Sequence, residues 1–469
     1  MSVKFGHSSW RGCAAAVFAF LALFGGQPAQ AHDRDRDRDP DVPTFSKNYF
    51  VTGDYLVTGV GLRGKGGPDG FANGKIIVYK GDVPTDAEPV AAFLYWESVV
   101  STHDMPAGLV GAKFNGHDIA PLTKILNPDG SSPCWSAGGA TGTSNGTKKT
   151  LLHRADVLRF LSRDTTGRLV APGEYSVRLA DTGKSGKVPI ALGATLLMIY
   201  RTASAPLRSV VLYEGGFEIN EHQSVISQTL AGFYQASSST PAASLSVIVG
   251  NGSAKFSERL LFNNKVIATN PFVGALGGSW DNPTYAVTLP RNASSATVRI
   301  EAAGKSYDCV SGGAFILSTA VQDADGDGLI DAIEDGTLIP LKTPDGEPLP
   351  DLHAMGAGSD KKDLFIEVGA LAAAPGTKAA EKYGSHTHLP SPKVLKLVGD
   401  AFRDAPGDDA ARVHFDMGPN YNPIDGDSDA SPYVMTSDAR GGEIIAEAAC
   451  VSSATLKCQF PDYPGTVSF

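Results

Sequence analysis

The chain has 469 residues, 42% hydrophobic and 19% charged, with a formal net charge of −10. That length and apolar content supply core material for about two to four domains and exclude a wholly disordered protein. The acidic balance excludes nucleic acid and anionic membrane as expected partners, because phosphate binding needs a basic surface.

Residues 1–31 read as a secretory signal. Lys4 and Arg11 precede an apolar run over 14–24, and Ala29-Gln30-Ala31 offers small side chains for cleavage after Ala31. Cys13 lies ahead of the apolar run, which argues against a lipid anchor. Cleavage removes two basic and no acidic residues, leaving a net charge of about −12. The expected location is secreted, periplasmic or cell-surface. Over 32–40 charges alternate in sign without an apolar residue, so 32–44 is expected to be a disordered spacer.

From 45 to 321 short apolar runs alternate with Gly, Pro, Asn and Asp, the texture of strands and turns. Strands are expected at 91–96, 175–179, 192–200, 209–213, 245–249, 297–300 and 314–319. The fold class that follows is mainly β, an N-terminal region of one or two β-sandwiches. The apolar stretch 188–200 is too short for a transmembrane helix and contains Pro189 and Gly193, so it is read as a buried strand, and no membrane span is expected. A single helix is expected around 154–161.

Once Cys13 leaves with the signal, four cysteines face an oxidising compartment. Cys134 with Cys309 and Cys450 with Cys458 is the economical pairing, although other connectivities stay open. Zinc-finger spacing is absent: there is no CxxC and no histidine beside either pair.

The most specific pattern follows the last expected strand, in the segment 322–336. Asp323, Asp325 and Asp327 occupy positions 1, 3 and 5 of an EF-hand loop, Leu329 offers its carbonyl at position 7, and Asp331 and Glu334 stand at 9 and 12. Gly328 at position 6 permits the turn that folds the early aspartates back onto the late ones. Clustered carboxylates repel unless a cation neutralises them, and hard oxygen donors at this spacing suit Ca2+.

After a linker over 337–359, the segment 360–469 changes texture to a small α/β unit. A strand is expected at 363–368, a helix over 392–404 with Ser391 as N-cap and Pro392 at its first position, and a second, parallel strand at 412–416. Val394, Leu395, Val398, Ala401 and Phe402 line one face of that helix.

The loop resembles the aspartate-rich calcium repeats of thrombospondin type 3 and dockerin modules, whose core phrase is DxDGDGxxD. Residues 320–465, through Asp323 to Asp331, Asp351-Leu352-His353, Lys362 to Val368, the Pro392 helix and Val413-His414-Phe415-Asp416, are similar to the front of the catalytic domain in secreted bacterial metallopeptidases of the metzincin type. That resemblance implies a zinc site on an HExxHxxGxxH helix, but this sequence has no HExxH, so no zinc ligand is carried over. Ala92-Phe93-Leu94-Tyr95-Trp96 and Leu196-Leu197-Met198-Ile199-Tyr200 loosely resemble strands of bacterial surface modules.

Other motifs are weak. Gly142-Thr143-Ser144-Asn145-Gly146 fits GxSxG without a strand before it or a helix after it. Gly59-Val60-Gly61-Leu62-Arg63-Gly64 fits GxGxxG without a following helix, and Gly183-Lys184-Ser185 reads as a turn. Asp425, Asp427 and Asp429 lack the glycine and the later carboxylates of a calcium loop. Asp363 and Glu367 share a strand face. His386 and His388 form a close pair for which no third ligand is evident, so solvated side chains are expected.

The expected function is therefore that of an exported, calcium-binding, non-catalytic protein in which Ca2+ orders the joint between sandwich and α/β segment. The alternatives are the front of a secreted zinc metallopeptidase and a carbohydrate or surface adhesin using Trp96, Trp135 or Trp280. The expected partners are Ca2+ and a cell-surface glycan or protein.

Overall fold

The computed structural model describes residues 42–101, 109–126, 135, 148–184, 187–203, 205–219, 223–239, 242–303, 308–338, 341–407, 410–422, 431–435, 439 and 441–447. The signal, most of the spacer, Cys134, Cys450, Cys458, the GxSxG segment and 425–429 lie outside them.

Long apolar runs that would leave one greasy face in a half-solvated sheet are here buried on both faces. In the strand Glu88–Ser101, Ala92, Leu94 and Trp96 enter one core while Ala91, Phe93 and Tyr95 enter another. Leu207–Glu218 divides likewise, Val211 and Tyr213 to one side and Val210 and Leu212 to the other. Each of the seven expected strands falls within an observed one.

Five of them, all but those at 175–179 and 297–300, belong to an antiparallel sheet of ten among the described residues. Its seam is Thr44–Gly61, whose first half, to Thr52, pairs with Leu207–Glu218 and whose second half, from Gly53, pairs with Ile190–Arg201. A Cβ at Gly53 would lie 1.9 Å from the Tyr200 carbonyl oxygen, so the switch of partner requires glycine. The halves on either side of the seam face one another across a central core that includes Phe93, Leu197, Leu212, Ile316 and Trp280. Hydrogen bonds cross it: Tyr55 with Ser246 at 2.9 Å, Tyr95 to Glu214 at 2.9 Å, and Trp280 to Thr195 at 2.9 Å. Four-stranded sheets cover the two outer faces, one centred on Gly173–Ala180 and the other on Ser295–Ala302. The β-region is thus two face-packed sandwiches sharing a folded central sheet.

The helix expected at 154–161 does not form. Lys148–Asp156 is a strand paired along its length with Glu88–Ser101, and only a 3-10 turn, Leu158–Phe160, follows. Leu151, Leu152 and Ala155 are buried, and Arg154 meets Glu214 at 3.0 Å, so cross-strand burial outweighs a weak helical period.

C-terminal to the sandwiches, Asp363–Glu367 and Arg412–Asp416 pair in parallel. The helix Pro392–Arg403 lies between them in sequence, with Ser391 accepting from the Val394 N–H at 3.4 Å. Leu395, Val413, Phe415 and Met417 share a small core there. A separate sheet places Ala370–Ala373 between His386–Thr387, antiparallel, and Ile444–Ala446, parallel. Among the described residues no helix is long and apolar enough to cross a membrane.

Candidate metal centre

The acidic loop leaves the sandwich directly after Ser311–Ala320 and is held at both ends. The Asp331 N–H donates to the Gln322 carbonyl at 3.2 Å, and Ile330 and Ala332 are buried in the second sandwich core. Between those anchors Gly326 and Gly328 adopt φ of 75° and 95°, a region that favours glycine. Backbone amides then curl around the carboxylates: Gly326 donates to Asp323 at 2.8 Å, Leu329 to Asp327 at 2.7 Å, and Ala324 to Asp331 at 2.7 Å. A one-turn helix, Asp331–Glu334, carries the last acid inward, and His353 backs it through a 2.8 Å bond between Nδ1 and the Glu334 carbonyl.

Two groups of carboxylates result, with candidate ligand atoms within 4.8 Å of one another in each. One is Asp323, Asp325 and Asp327; the other is Asp327, Glu334 and Asp363, so Asp327 belongs to both. Glu334 is 0% exposed, and neither of its carboxylate oxygens has a hydrogen-bond partner among the described residues. Oδ2 of Asp325 is also buried and without a partner among the described residues. Leaving such groups unpaired costs roughly 1–3 kcal/mol each or more when charged, which makes the arrangement unfavourable without a cation. Burial, and then the charges of Asp327, Asp325, Asp363 and Asp331, push Glu334 up to about 8. Burial likewise raises Asp323 and Asp325. For Asp363 burial acts upward but is outweighed by hydrogen bonds from His414 at 2.6 Å and Arg412 at 2.8 Å, which hold it below its usual value.

The structure therefore brings together four of the expected residues, Asp323, Asp325, Asp327 and Glu334. Asp331 turns its Oδ1 to the Ala324 amide and stands outside the two convergent groups, while Leu329 occupies the seventh position with its N–H on Asp327. Asp363 joins from a strand beyond the motif, its own N–H donating to Oδ2 of Asp327 at 2.7 Å. Glu367, its expected face partner, is exposed. All donors in the set are oxygens, with two orphaned on one buried glutamate, and this fits a hard cation of Ca2+ type.

The glycine motifs at 59–64 and 183–185 and the tryptophans gain no chemistry from the fold. GxGxxG runs out of the strand Thr44–Gly61 into turns. Gly183 sits in a turn, donating to Asp181 at 2.7 Å. Trp96 and Trp280 are fully buried, and Trp135 lies partly buried under the Arg63 guanidinium, 4.7 Å from its ring. No known protein family matches the chain, and no curated protein does.

Proposed function

We propose that the protein is an exported, calcium-stabilised structural or binding protein, in which one Ca2+ in the loop 323–334 fastens the sandwich pair to the C-terminal segment. The observation that carries this reading is Glu334, fully buried with both oxygens unpartnered among the described residues, at the twelfth position of a loop whose first, third and fifth aspartates converge. Asp363 extends the ligand set across the joint. In this reading Asp323, Asp325, Asp327, Glu334 and Asp363 hold the ion, with the Leu329 carbonyl, and Asp331 through a water as is common at the ninth position, completing the shell. Export rests on the leader of residues 1–31, and the Cys134–Cys309 and Cys450–Cys458 pairings belong to the same proposal. A glycan or protein partner at the cell surface would be met by side chains other than Trp96 and Trp280.

Calorimetry on the purified, metal-stripped chain tests it. The expected result is one equivalent of Ca2+ bound by the native chain and none by an Asp325→Ala, Asp327→Ala variant. Equal Ca2+ uptake by both would remove the loop from the function.

A further inference from the structure

His386 and His388 were expected to be solvated for want of a third ligand, and Glu447 supplies one. It follows the strand Ile444–Ala446, far along the chain, where no sequence spacing connects it to the histidines. Backbone pairing puts all three on one frame. His386 lies opposite Ala373, the His388 N–H donates to the Leu371 carbonyl at 2.9 Å, and the Glu447 N–H donates to the Ala372 carbonyl at 2.9 Å. Alternate residues of an extended segment share a face, so His386 and His388 project together. Ala373, with only a methyl group between His386 and Glu447, leaves room for their side chains to meet.

The meeting is tight. Nε2 of His386 is 3.0 Å from Oε2 of Glu447, Nε2 of His388 is 3.2 Å from the same oxygen, and the two nitrogens are 3.2 Å apart. Nδ1 of His386 lies 2.8 Å from the Gly384 carbonyl, which can only accept, so Nδ1 carries a proton and Nε2, on the Glu447 side, is the nitrogen placed to ligate a metal. This is also the outer-shell bond that orients a metal-bound imidazole. Zinc held at 2.0–2.1 Å by tetrahedrally disposed ligands separates their atoms by about 3.3 Å, close to each edge of this triangle. Glu447 is 9% exposed while His386 and His388 are 33% and 53% exposed, so the carboxylate is held from below and the imidazoles open toward solvent.

We propose that His386, His388 and Glu447 form a three-ligand site for a zinc-class divalent transition metal, separate from the calcium loop. Two imidazoles and one carboxylate favour Zn2+ over Ca2+ or Mg2+, and three protein ligands leave a fourth position for water or an external donor.

The test titrates the metal-stripped chain with Zn2+ by calorimetry in saturating Ca2+, and with Co2+ by visible absorption. One equivalent of Zn2+ is expected, with the intense visible bands of four-coordinate Co2+. His388→Ala and Glu447→Gln should weaken binding by at least about a hundredfold, the upper end of the cost of losing only an outer-shell partner. Both should leave Ca2+ uptake unchanged, while Asp325→Ala, Asp327→Ala should lose Ca2+ and keep Zn2+. A folded native chain that takes up no Zn2+ would overturn the proposal, leaving a carboxylate bonded by two imidazoles. Zinc uptake that survives His388→Ala and Glu447→Gln, or disappears with the loop aspartates, would overturn it equally.

Discussion

Glu97 shows how costly a single buried acid is in this fold. It lies in the central core with Oε2 accepting from Ser311 at 2.7 Å and Oε1 buried without a partner among the described residues. Burial first, and the nearby charge of Glu218, outweigh the Ser311 bond and push it from 4.5 up to about 8. The folded chain therefore holds a proton that the unfolded chain releases between those values. Its contribution to stability is fully present below pH 4.5 and is lost as pH rises through 8. Thermal melts across that window should show the native chain losing stability with rising pH. Glu97→Gln keeps the acceptor for Ser311 without the charge, so it should flatten the profile and melt higher at the alkaline end. Superimposable profiles for the two proteins would show that Glu97 stays ionised throughout.

At the scale of elements, the central sheet depends on backbone approach as much as on apolar pairing. Gly312 in Ser311–Ala320 stands where a Cβ would lie 1.9 Å from Phe217, a fully buried ring stacked on Phe315 at 5.7 Å. Gly312→Ala should therefore destabilise by about 1–3 kcal/mol, the cost of overpacking a filled core, read as a lower denaturation midpoint with an unchanged slope. Strands of this kind were legible in the sequence because their apolar runs were too long for turns and too short for buried helices. Their arrangement was not: a strand such as Thr44–Gly61, which changes partner at Gly53, has the same local pattern as two shorter strands or one straight one. The segment 154–161 misled for a related reason, since a few apolar residues at helical spacing do not disclose that a neighbouring strand will pair with them. In the metal loop, Asp323, Asp325, Asp327 and Glu334 were readable because their spacing is itself the geometry. Asp363 was not, because only the packing of the next strand against the loop brings it in, and Glu447 escaped notice for the same reason.

For the whole molecule, the consequence of Asp363 is that an ion bound as proposed would touch two structural units. Asp327 belongs to the loop anchored in the sandwich core through Ile330, whereas Asp363 opens the strand Asp363–Glu367 and is tied by Arg412 and His414 to the strand beside it. A cation bound by Asp327, Glu334 and Asp363 together would transmit its binding energy to both, about 2.7 kcal/mol at a hundredfold excess over Kd. Calcium should then merge the melting of sandwich and C-terminal segment into one transition that chelation splits in two. Asp363→Asn tests the bridging step, since it keeps the side chain's shape and leaves the motif intact while removing one charged ligand, together with the charge that pairs with Arg412 and His414. Calcium affinity should fall about tenfold, because Kd in such loops follows the number of charged ligands, and the merged transition should split at a Ca2+ concentration that still saturates the native chain. Unchanged affinity in a folded Asp363→Asn chain would confine the ion to the loop, and calcium would then stabilise the sandwich alone.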